Sequence, residues 1–256
     1  MEKNIYISIV LPVFNEENNI VSLLKEIVSV CENEIKESYE IVVVDDASTD
    51  GSVQKIQNLQ EELRTAGRTP CLDKIIILKQ AVNSGQSAAI MAGMRISCGT
   101  LILTMDADLQ HDPSDIPAFI EKIQNCDMVC GIRKKRSDGA ARFLCSKIAN
   151  LFRNLVTGDN IHDSGCTFRL MKRKCIASAL LVDGKLYGCE FFFHPLLIRK
   201  DGFKVSEIKI NHRSRPAGSS HYGLISGRLL KGIKAIFKVK SFLLFYKSTE
   251  RSVSNK

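Results

Sequence analysis

The sequence predicts an α/β protein built on a mostly parallel, doubly wound sheet with helices on both faces. Two observations support this prediction: strand-like and helix-like segments alternate, and the strand-like segments are continuous apolar runs. Continuous apolar runs are typical of strands buried on both faces, and the alternation indicates parallel β-α-β units. A length of 256 residues suits one generous domain, with or without an appendage.

Residue periodicity predicts the elements in chain order. Apolar residues recur at helical spacing after the first strand, at Ile20, Leu23, Leu24, Ile27 and Val28. Strands are predicted over residues 5–13, 41–45, 74–79, 101–106, 127–131, 166–171 and 204–210. Helices are predicted over residues 17–36, 52–65, 86–97, 143–156, 176–181 and 190–200, and after Pro113. The regular alternation ends at about residue 131, so the first half of the chain contains most of the predicted parallel sheet.

Composition excludes several classes of protein. A hydrophobic fraction of 45% with 25% charged residues is typical of globular domains and excludes wholesale disorder. The nine cysteines are odd in number and stand mostly in apolar stretches, which predicts free thiols in a reducing compartment. Cys126 and Cys130 lack further ligands at zinc spacing, so no structural zinc is expected. No signal-peptide pattern is present, and no run approaches the ~20 apolar residues of a membrane span.

Positive charge is concentrated toward the C-terminus. The formal net charge is +8, and Arg199–Lys256 holds 14 Lys and Arg against 3 Asp and Glu. The preceding residues are therefore net acidic. A basic tail of this kind binds nucleic acid, anionic lipid headgroups or a phosphorylated substrate, or it forms a solvated helix face.

Acidic residues follow three of the predicted parallel strands. In an open parallel sheet, ligands bind beyond the carboxyl ends of the strands, where the strand order reverses. Carboxylates that meet there repel one another unless a cation or hydrogen-bond donors are bound among them. The polar residues at these strand ends are Asn15, Glu16, Asp45, Asp46, Ser48, Asp50, Asp106, Asp108 and Gln110, with Pro12 ahead of the first group. Asp50, just before Gly51 and Ser52, also fits an ordinary helix cap.

The segment DADLQ, residues 106–110, has the composition of an oxygen-ligand metal site. Asp106, Asp108 and the amide Gln110 form a set that suits Mg²⁺ or Mn²⁺ bridging to substrate phosphates. The glycine fingerprint of dinucleotide-binding folds is absent after the first strand, and so is a phosphate-binding loop of the Walker type. Hydride transfer and P-loop NTP hydrolysis are therefore excluded.

Six strings of the sequence belong together by order and spacing. They are PVFNEENNI, IVVVDDASTDGS, NSGQSAAIMAG, MDADLQHDP, DSGCTFRLMKR and RPAGSSHYG. Together they resemble the family 2 glycosyltransferases of the GT-A fold, over roughly residues 5–225, in the branch of dolichol-phosphate mannose synthases and bacterial polyprenyl-phosphate hexosyltransferases. The resemblance implies a Rossmann-like, mostly parallel sheet flanked by helices, and an enzyme that uses a nucleotide-sugar donor with Mg²⁺ or Mn²⁺.

The resemblance also implies roles for individual residues. The implied nucleotide site consists of Pro12, Phe14, Asn15, Glu16, Asp45, Asp46, Ser48, Asp106 and Ala107. Asp106, Asp108 and Gln110 are implied to hold the metal against the diphosphate. The implied catalytic set is Asp108 with the basic residues Arg133, Arg142 and Arg215 and the acidic residues Asp163 and Glu190.

The abundance of basic residues favours a phosphate acceptor. A phosphate monoester is largely dianionic at neutral pH and needs no general base, but it needs cations to approach an anionic donor. Candidate cations are the run Arg133–Arg136, Arg142, Arg169, Arg213 and Arg215. We therefore predict metal-dependent, inverting transfer of a hexose, mannose first, from a GDP- or UDP-sugar to a polyprenyl or dolichyl phosphate.

Two alternatives stay open at this point. The first is a family 2 enzyme that glycosylates a hydroxyl of a glycan or surface polysaccharide, which would require Asp163 or Glu190 as a general base. The second is a non-catalytic nucleotide-sugar binding module. The acidic set at residues 45, 46, 106 and 108 argues against the second alternative.

The C-terminal residues predict an appendage to the catalytic domain. Residues 1–225 are assigned to the GT-A domain and residues 226–256 to a basic amphipathic extension, where many relatives carry transmembrane helices. The helix over 227–247 either enters the headgroup layer of a membrane through its aromatic and leucine side chains or packs back on the domain. We expect a cytoplasmic protein that is peripheral on the cytoplasmic face of the membrane and serves cell-envelope biogenesis. Its expected partners are a lipid-phosphate acceptor and, as an option, a membrane-anchoring protein. No nucleic-acid partner is expected.

Overall fold

One mixed sheet forms the centre of the computed structural model, which describes residues 5–65, 74–134, 153–215 and 226–246. Its strands, in the order β3-β2-β1-β4-β6-β5-β7, are β1 Ile7–Val13, β2 Tyr39–Asp45, β3 Ile75–Lys79, β4 Leu101–Thr104, β5 Met128–Arg133, β6 Arg169–Lys172 and β7 Val205–Ile210. Only β6 opposes the others, because it pairs antiparallel with both β4 and β5. The prediction of a mostly parallel sheet is confirmed.

The helices of the described ranges lie close to the predicted positions. They are α1 Ile20–Val30, α2 Ser52–Thr65, α3 Gln86–Ile96, α4 Ile116–Ile123, α5 Ile176–Leu180, α6 His194–Lys200 and α7 Ser226–Phe245. The helix predicted over residues 17–36 is shorter, since it passes at Val30 into a π-helical turn that Lys36 ends with a φ of 58°. The helix predicted over residues 143–156 lies mostly outside the described residues, of which 153–157 are helical.

Two apolar clusters cover the two faces of the sheet. Successive strand residues point to opposite faces, so Ile9 and Leu11 of β1 join the cluster with α1 and α4, whereas Val10 joins the cluster with α3. Helix α3 lies very close to β1, since a Cβ on Gly93 would lie 2.4 Å from a methyl carbon of Val10. A glycine at this position therefore allows the close approach of the helix that begins beside the strand ends.

The cysteines in the described ranges are free thiols, and all of them except Cys98 are buried. Burial raises the pKa of Cys130 and Cys166 to about 12. These thiols are therefore protonated and pack as small apolar side chains. The prediction of free thiols is confirmed for this part of the chain.

Helix α7 packs against the segment that precedes α6. Its residues Ala235, Ile236 and Val239 are buried with Leu186 and Phe193 of that segment. On its other side Phe237, Leu244 and Phe245 are exposed. No helix in the described ranges is long and apolar enough to span a bilayer.

A buried histidine predicts sensitivity to acid. His194 begins α6 with 1% of its surface exposed, and burial, followed by the positive charge of Arg169, lowers its pKa from 6.5 to about 3. Between these two values the unfolded chain binds a proton at this residue and the folded chain does not, so stability falls as the pH falls. The contribution is at most roughly 5 kcal/mol, at about 1.36 kcal/mol per pKa unit.

Replacing His194 with glutamine is expected to flatten this dependence. Urea unfolding at a series of pH values below 6.5 would compare the variant with wild type and with His162→Gln, whose imidazole is 75% exposed. If wild type and His194→Gln lost stability in parallel as the pH fell, the prediction would be wrong.

Candidate functional site

The chain turns sharply at the carboxyl ends of β1, β2 and β4. Asn15, Ala47 and Leu109 have positive φ values of 55°, 60° and 61°. Such values are uncommon outside glycine and are genuine outliers for bulky residues such as leucine. Strained residues of this kind cluster at functional sites. The strand order also reverses here, because β2 and β3 lie on one side of β1 and β4 lies on the other.

A pocket opens at this reversal point, as expected for an open parallel sheet. It is lined by Pro12, Val13, Phe14, Glu16, Asp46, Asn83, Gly85, Gln86, Ala89, Asp106, Ala107, Asp108 and Arg215. The structure thus brings together, from the predicted site, Pro12, Phe14, Glu16, Asp46, Asp106, Ala107, Asp108 and Arg215.

Other predicted nucleotide-site residues join the two loops that follow β1 and β2. Asn15 accepts a hydrogen bond from the Thr49 backbone N–H at 2.8 Å and donates its own backbone N–H to the Ser48 hydroxyl at 3.0 Å. Asp45 accepts from the Ser48 N–H at 3.2 Å. Asn15, Asp45 and Ser48 are not among the residues that line the pocket. Their contacts hold the loops that carry Phe14, Glu16 and Asp46.

Asp46 ties the pocket to the start of α3. Its two carboxylate oxygens accept the backbone N–H groups of Ser84 at 2.7 Å and Gly85 at 2.8 Å. Burial raises the pKa of Asp46, while these two hydrogen bonds oppose the shift. The residue acts as a clamp between β2 and the loop ahead of α3.

Asp106 and Asp108 follow β4 and form an acidic pair. Asp106 accepts from the side-chain amide of Gln86 at 2.6 Å, and Asp108 accepts from the backbone N–H of Gln110 at 3.1 Å. Burial raises the pKa of Asp106, and burial followed by the charge of Asp106 raises the pKa of Asp108. Two carboxylates in one desolvated pocket make cation binding favourable.

The acidic pair fits a divalent cation of the Mg²⁺ or Mn²⁺ type. No group of three His, Cys, Asp or Glu side chains within the described ranges is placed to hold a metal unaided. Mg²⁺ is commonly bound by one or two carboxylates and completed by waters and substrate phosphates. Asp106 and Asp108 would supply the protein ligands, with Gln110 as the third predicted member.

Arg215 reaches the pocket because the segment after β7 is held against the acidic pair. The backbone N–H of Arg213 donates to the Gln110 carbonyl at 2.8 Å, and the backbones of His212 and His111 form an antiparallel β-bridge. Arg215 then pairs with Glu16 at 2.5 Å and lies 3.9 Å from Asp108. A cation from the C-terminal half of the chain thus faces carboxylates from the first and fourth strands.

Arg133 and Asp163 form a bidentate pair outside the pocket lining. The Arg133 Nε and Nη2 atoms donate to the two Asp163 oxygens, both at 2.8 Å, and both side chains are largely buried. Burial alone would lower the pKa of Arg133, but the hydrogen bonds and charge of Asp163 raise it above its ordinary value. Arg133 therefore stays charged.

Of the two remaining predicted residues, one binds backbone groups of its own loop and the other lies outside the described residues. Glu190 accepts the backbone N–H groups of Leu186 and Gly188 at 2.8 and 3.3 Å, so it organises its own loop. Arg142 lies outside the described residues.

Two of the candidate phosphate-binding arginines make structural contacts instead. Arg169 is 1% exposed and donates to the carbonyls of Ser164, Cys166 and Phe191. Arg213 pairs with Glu26 and Asp112, each at 2.7 Å. Arginine content alone does not reveal which guanidinium groups face a pocket, because carbonyls and carboxylates inside the fold compete for them.

Sequence reasoning missed several residues of this site. Asn83, Gly85 and Gln86 line the pocket, and His111 accepts the Asp106 backbone N–H at 3.2 Å. Burial lowers the pKa of His111 to about 3, so the imidazole is neutral. The string NSGQSAAIMAG was a usable signal, since it opens the helix that faces the strand ends.

Comparison with known proteins identifies the family. The sequence profile described as "Glycosyl transferase family 2" matches residues 8–178. The chain belongs to glycosyl transferase family 2. Among curated relatives, the chain is 33% identical over 222 residues to the undecaprenyl-phosphate 4-deoxy-4-formamido-L-arabinose transferase of Aeromonas hydrophila and 36% identical over 217 residues to that of Pseudomonas paraeruginosa. The matches cover 86% and 84% of the chain but 63% and 60% of these relatives.

Solved structures show that this family 2 member has the GT-A fold. The glucosyl-3-phosphoglycerate synthase of Mycobacterium tuberculosis, in complex with Mn²⁺, UDP and phosphoglyceric acid, superposes with a TM-score of 0.60 at 16% identity, over 95% of this chain and 80% of that one. The mannosyl-3-phosphoglycerate synthase of Rubrobacter xylanophilus gives a TM-score of 0.57 at 15% identity, over 94% and 74%. The predicted family and fold are both confirmed.

Proposed function

We propose that this protein transfers a sugar from a nucleotide-sugar donor to a polyprenyl phosphate at the pocket beyond β1, β2 and β4. The observation that carries the proposal is the acidic pair Asp106 and Asp108 beside the loops that follow β1 and β2. The relatives named as undecaprenyl-phosphate sugar transferases, which match over more than four fifths of the chain, support the acceptor class.

The pocket residues divide between the nucleoside and the diphosphate of the donor. Among the residues that line the pocket, Pro12, Phe14 and Asp46 would accept the nucleoside, and the acidic pair would accept the diphosphate through the bound cation. A divalent cation bound by the pair would neutralise charge that develops on the leaving diphosphate. The UDP and Mn²⁺ of the Mycobacterium tuberculosis neighbour support a UDP-sugar as the first donor to test.

The charges around the pocket favour a phosphate acceptor over a hydroxyl. A hydroxyl acceptor needs a general base within hydrogen-bond reach, yet Asp163 is bound by Arg133, and Glu190 accepts backbone N–H groups. An acceptor phosphate needs no base, and Arg215, which lines the pocket and pairs with Glu16, would exchange that carboxylate for the phosphate oxygens. We assign Arg133 a supporting role, in which its bond with Asp163 keeps a positive charge near the acidic pair.

A double-mutant cycle on Arg133 and Asp163 tests this assignment. We expect Arg133→Met and Asp163→Asn each to lower transfer by about 10- to 100-fold, and the double variant to be no worse than the poorer single variant, because paired residues are not additive. The measurement is kcat/KM for each variant with one donor. A far larger loss in Asp163→Asn than in Arg133→Met would instead identify Asp163 as a general base and favour the hydroxyl acceptor.

We further propose that residues 1–225 form the catalytic domain and that the extension 226–256 binds the membrane surface. Helix α7 exposes Phe237, Leu244 and Phe245 together with lysines at positions 231, 234, 238 and 240. Apolar and basic side chains together bind anionic bilayers. Membrane binding would place a peripheral enzyme beside a lipid-linked acceptor.

Label transfer to a short-chain polyprenyl phosphate tests the function. Radiolabelled UDP-4-deoxy-4-formamido-L-arabinose, UDP-glucose, UDP-N-acetylglucosamine and GDP-mannose would each be offered with Mn²⁺, with Mg²⁺ and with EDTA. The formamido-arabinose donor is included because of the relatives' names, and GDP-mannose because mannose is the sugar predicted from the sequence. We expect label to appear in the lipid fraction when Mn²⁺ or Mg²⁺ is present, and not when EDTA is present.

The same assay separates the alternatives. Metal-dependent hydrolysis of a donor without lipid labelling would contradict the polyprenyl acceptor and favour a hydroxyl acceptor. Donor binding with neither hydrolysis nor transfer would contradict catalysis and favour the binding-module alternative.

A further inference from the structure

Gln86 makes a direct contact with the acidic pair. Its side-chain Nε2 donates to Asp106 Oδ1 at 2.6 Å, and both residues line the pocket. Hydrogen bonds from a neutral donor to an ionised carboxylate are shorter and stronger than those between neutral groups. This bond therefore restricts rotation of the Asp106 carboxylate.

The backbone around Gln86 is held on both sides. Gly85, with a φ of 89°, precedes α3 and donates its N–H to Asp46, so an L-residue in its place would be strained. Ser87 donates its hydroxyl to the Gly188 carbonyl at 2.8 Å. The side chain of Gln86 thus starts from a backbone that two independent contacts fix relative to β2 and to the Glu190 loop.

We propose that Gln86 is a positioning residue that orients Asp106 for a divalent cation. The inference rests on the proposed metal-dependent function of the same pocket. Groups that hydrogen-bond a ligating carboxylate orient it, and their loss typically costs about 10- to 100-fold in metal affinity. Gln86 does not touch the reacting atoms in this assignment and acts through Asp106.

The neutrality of the amide is as important as its reach. A glutamine adds no charge to the pocket, so the acidic pair keeps its attraction for a cation. A lysine in the same place would form an ion pair with Asp106 and repel the metal. A methionine would keep the length of the side chain and lose the donor.

Measuring Mn²⁺ binding by the full chain tests the proposal without turnover. Binding is monitored with UDP present, through the electron paramagnetic resonance signal of the free ion. We expect Gln86→Met and Gln86→Lys each to weaken Mn²⁺ binding by about 10- to 100-fold. The matched control is Gln54→Leu, since Gln54 is exposed on α2 and bonds only to Asn58 among the contacts seen for it. The control is expected to bind Mn²⁺ as wild type does.

Thermal unfolding of the same samples distinguishes positioning from a general loss of structure. Gln86→Met is expected to unfold within a few degrees of wild type, while its Mn²⁺ affinity falls. Wild-type Mn²⁺ affinity in a folded Gln86→Met protein would overturn the inference, and so would the absence of any Mn²⁺ binding in wild type. Should Gln86→Met fail to fold, wild-type affinity in Gln86→Lys would overturn it instead.

Lipid labelling measured in parallel separates this inference from the proposed function. Weakened Mn²⁺ binding in Gln86→Met, with no label transferred by wild type, would support the positioning role and contradict the transfer reaction. Transfer by wild type with unchanged Mn²⁺ binding in Gln86→Met would support the reaction and contradict the positioning role.

Discussion

Asp108→Asn is expected to lower sugar transfer by about three orders of magnitude while the protein stays folded. A metal that polarises and neutralises a leaving group contributes several kcal/mol to the transition state, and about 4 kcal/mol corresponds to a factor of 10³. Asparagine keeps the shape of the side chain and can still accept the Gln110 N–H, but it removes the charge that attracts the cation. The measurement is kcat/KM with the donor that labels the lipid, at saturating Mn²⁺.

Stability provides the internal check on this variant. The raised pKa of Asp108 means that folding disfavours its ionised form. The protonated Asp108 carboxyl therefore stabilises the folded protein fully at a pH below the ordinary pKa of 3.8. This contribution is lost as the pH rises through the raised pKa. Without metal at neutral pH, Asp108→Asn should match or exceed wild type in thermal midpoint. Asp183→Asn, which removes a surface ion pair with Arg95, is the control for transfer.

A modest loss of transfer would contradict the role of Asp108. If Asp108→Asn kept activity within about tenfold of wild type, or if EDTA left wild-type transfer unchanged, the pair would not supply a catalytic metal site. An inactive variant that also unfolded early would be explained by loss of structure, and Asp108→Glu would then replace it in the assay.

Arg169→Met is expected to destabilise the protein by about 3 to 5 kcal/mol. The guanidinium group is buried and donates to three backbone carbonyls, those of Ser164, Cys166 and Phe191. A buried acceptor left without a donor costs about 1 to 3 kcal/mol. The Phe191 carbonyl keeps the backbone N–H of His194 as a donor, so the expected loss comes mainly from the carbonyls of Ser164 and Cys166. Arg169→Lys should recover only part of the loss, because an ammonium group lacks the planar fork that reaches three carbonyls.

Urea unfolding measures this effect, with Arg64→Met as the matched control. Arg64 lies on the exposed side of α2 and pairs with Glu61 at 3.3 Å, and surface pairs of this kind contribute about 0 to 1 kcal/mol. Equal unfolding midpoints for Arg169→Met and Arg64→Met would contradict the prediction. The expected loss also extends to function, since Arg169 joins the loop of Asp163 to the turn of Glu190.

Local patterns are sufficient to predict most of the secondary structure of this chain. The period of burial is set by each segment's own residues, so β2 and α2 were predicted within one or two residues of their observed bounds. The antiparallel direction of β6 could not be read in this way. It depends on which strands β6 meets in the folded sheet, where it lies between β4 and β5 and pairs antiparallel with both.

The acidic part of the site was predictable for a topological reason. Parallel strands present their carboxyl ends at one edge, so Glu16, Asp46 and Asp108 had to approach one another once the sheet was predicted. Basic residues carry no such constraint. Arg215 reaches the pocket, whereas Arg213, two residues earlier, pairs with Glu26 and Asp112 on the outside of the site.

Short stretches of sequence encode the succession of strands and helices along the chain, the family motifs and the acidic residues at the strand ends. Each of these features depends on residues that are close together in the sequence. The partners of the buried polar groups are decided only in the folded chain. Gln86 and Asp106 stand 20 residues apart and Arg169 and Phe191 stand 22 apart, and these pairs meet because helix packing and strand order bring them together. Hydrogen bonds are short-ranged and directional, so the choice among many possible donors is made by three-dimensional proximity.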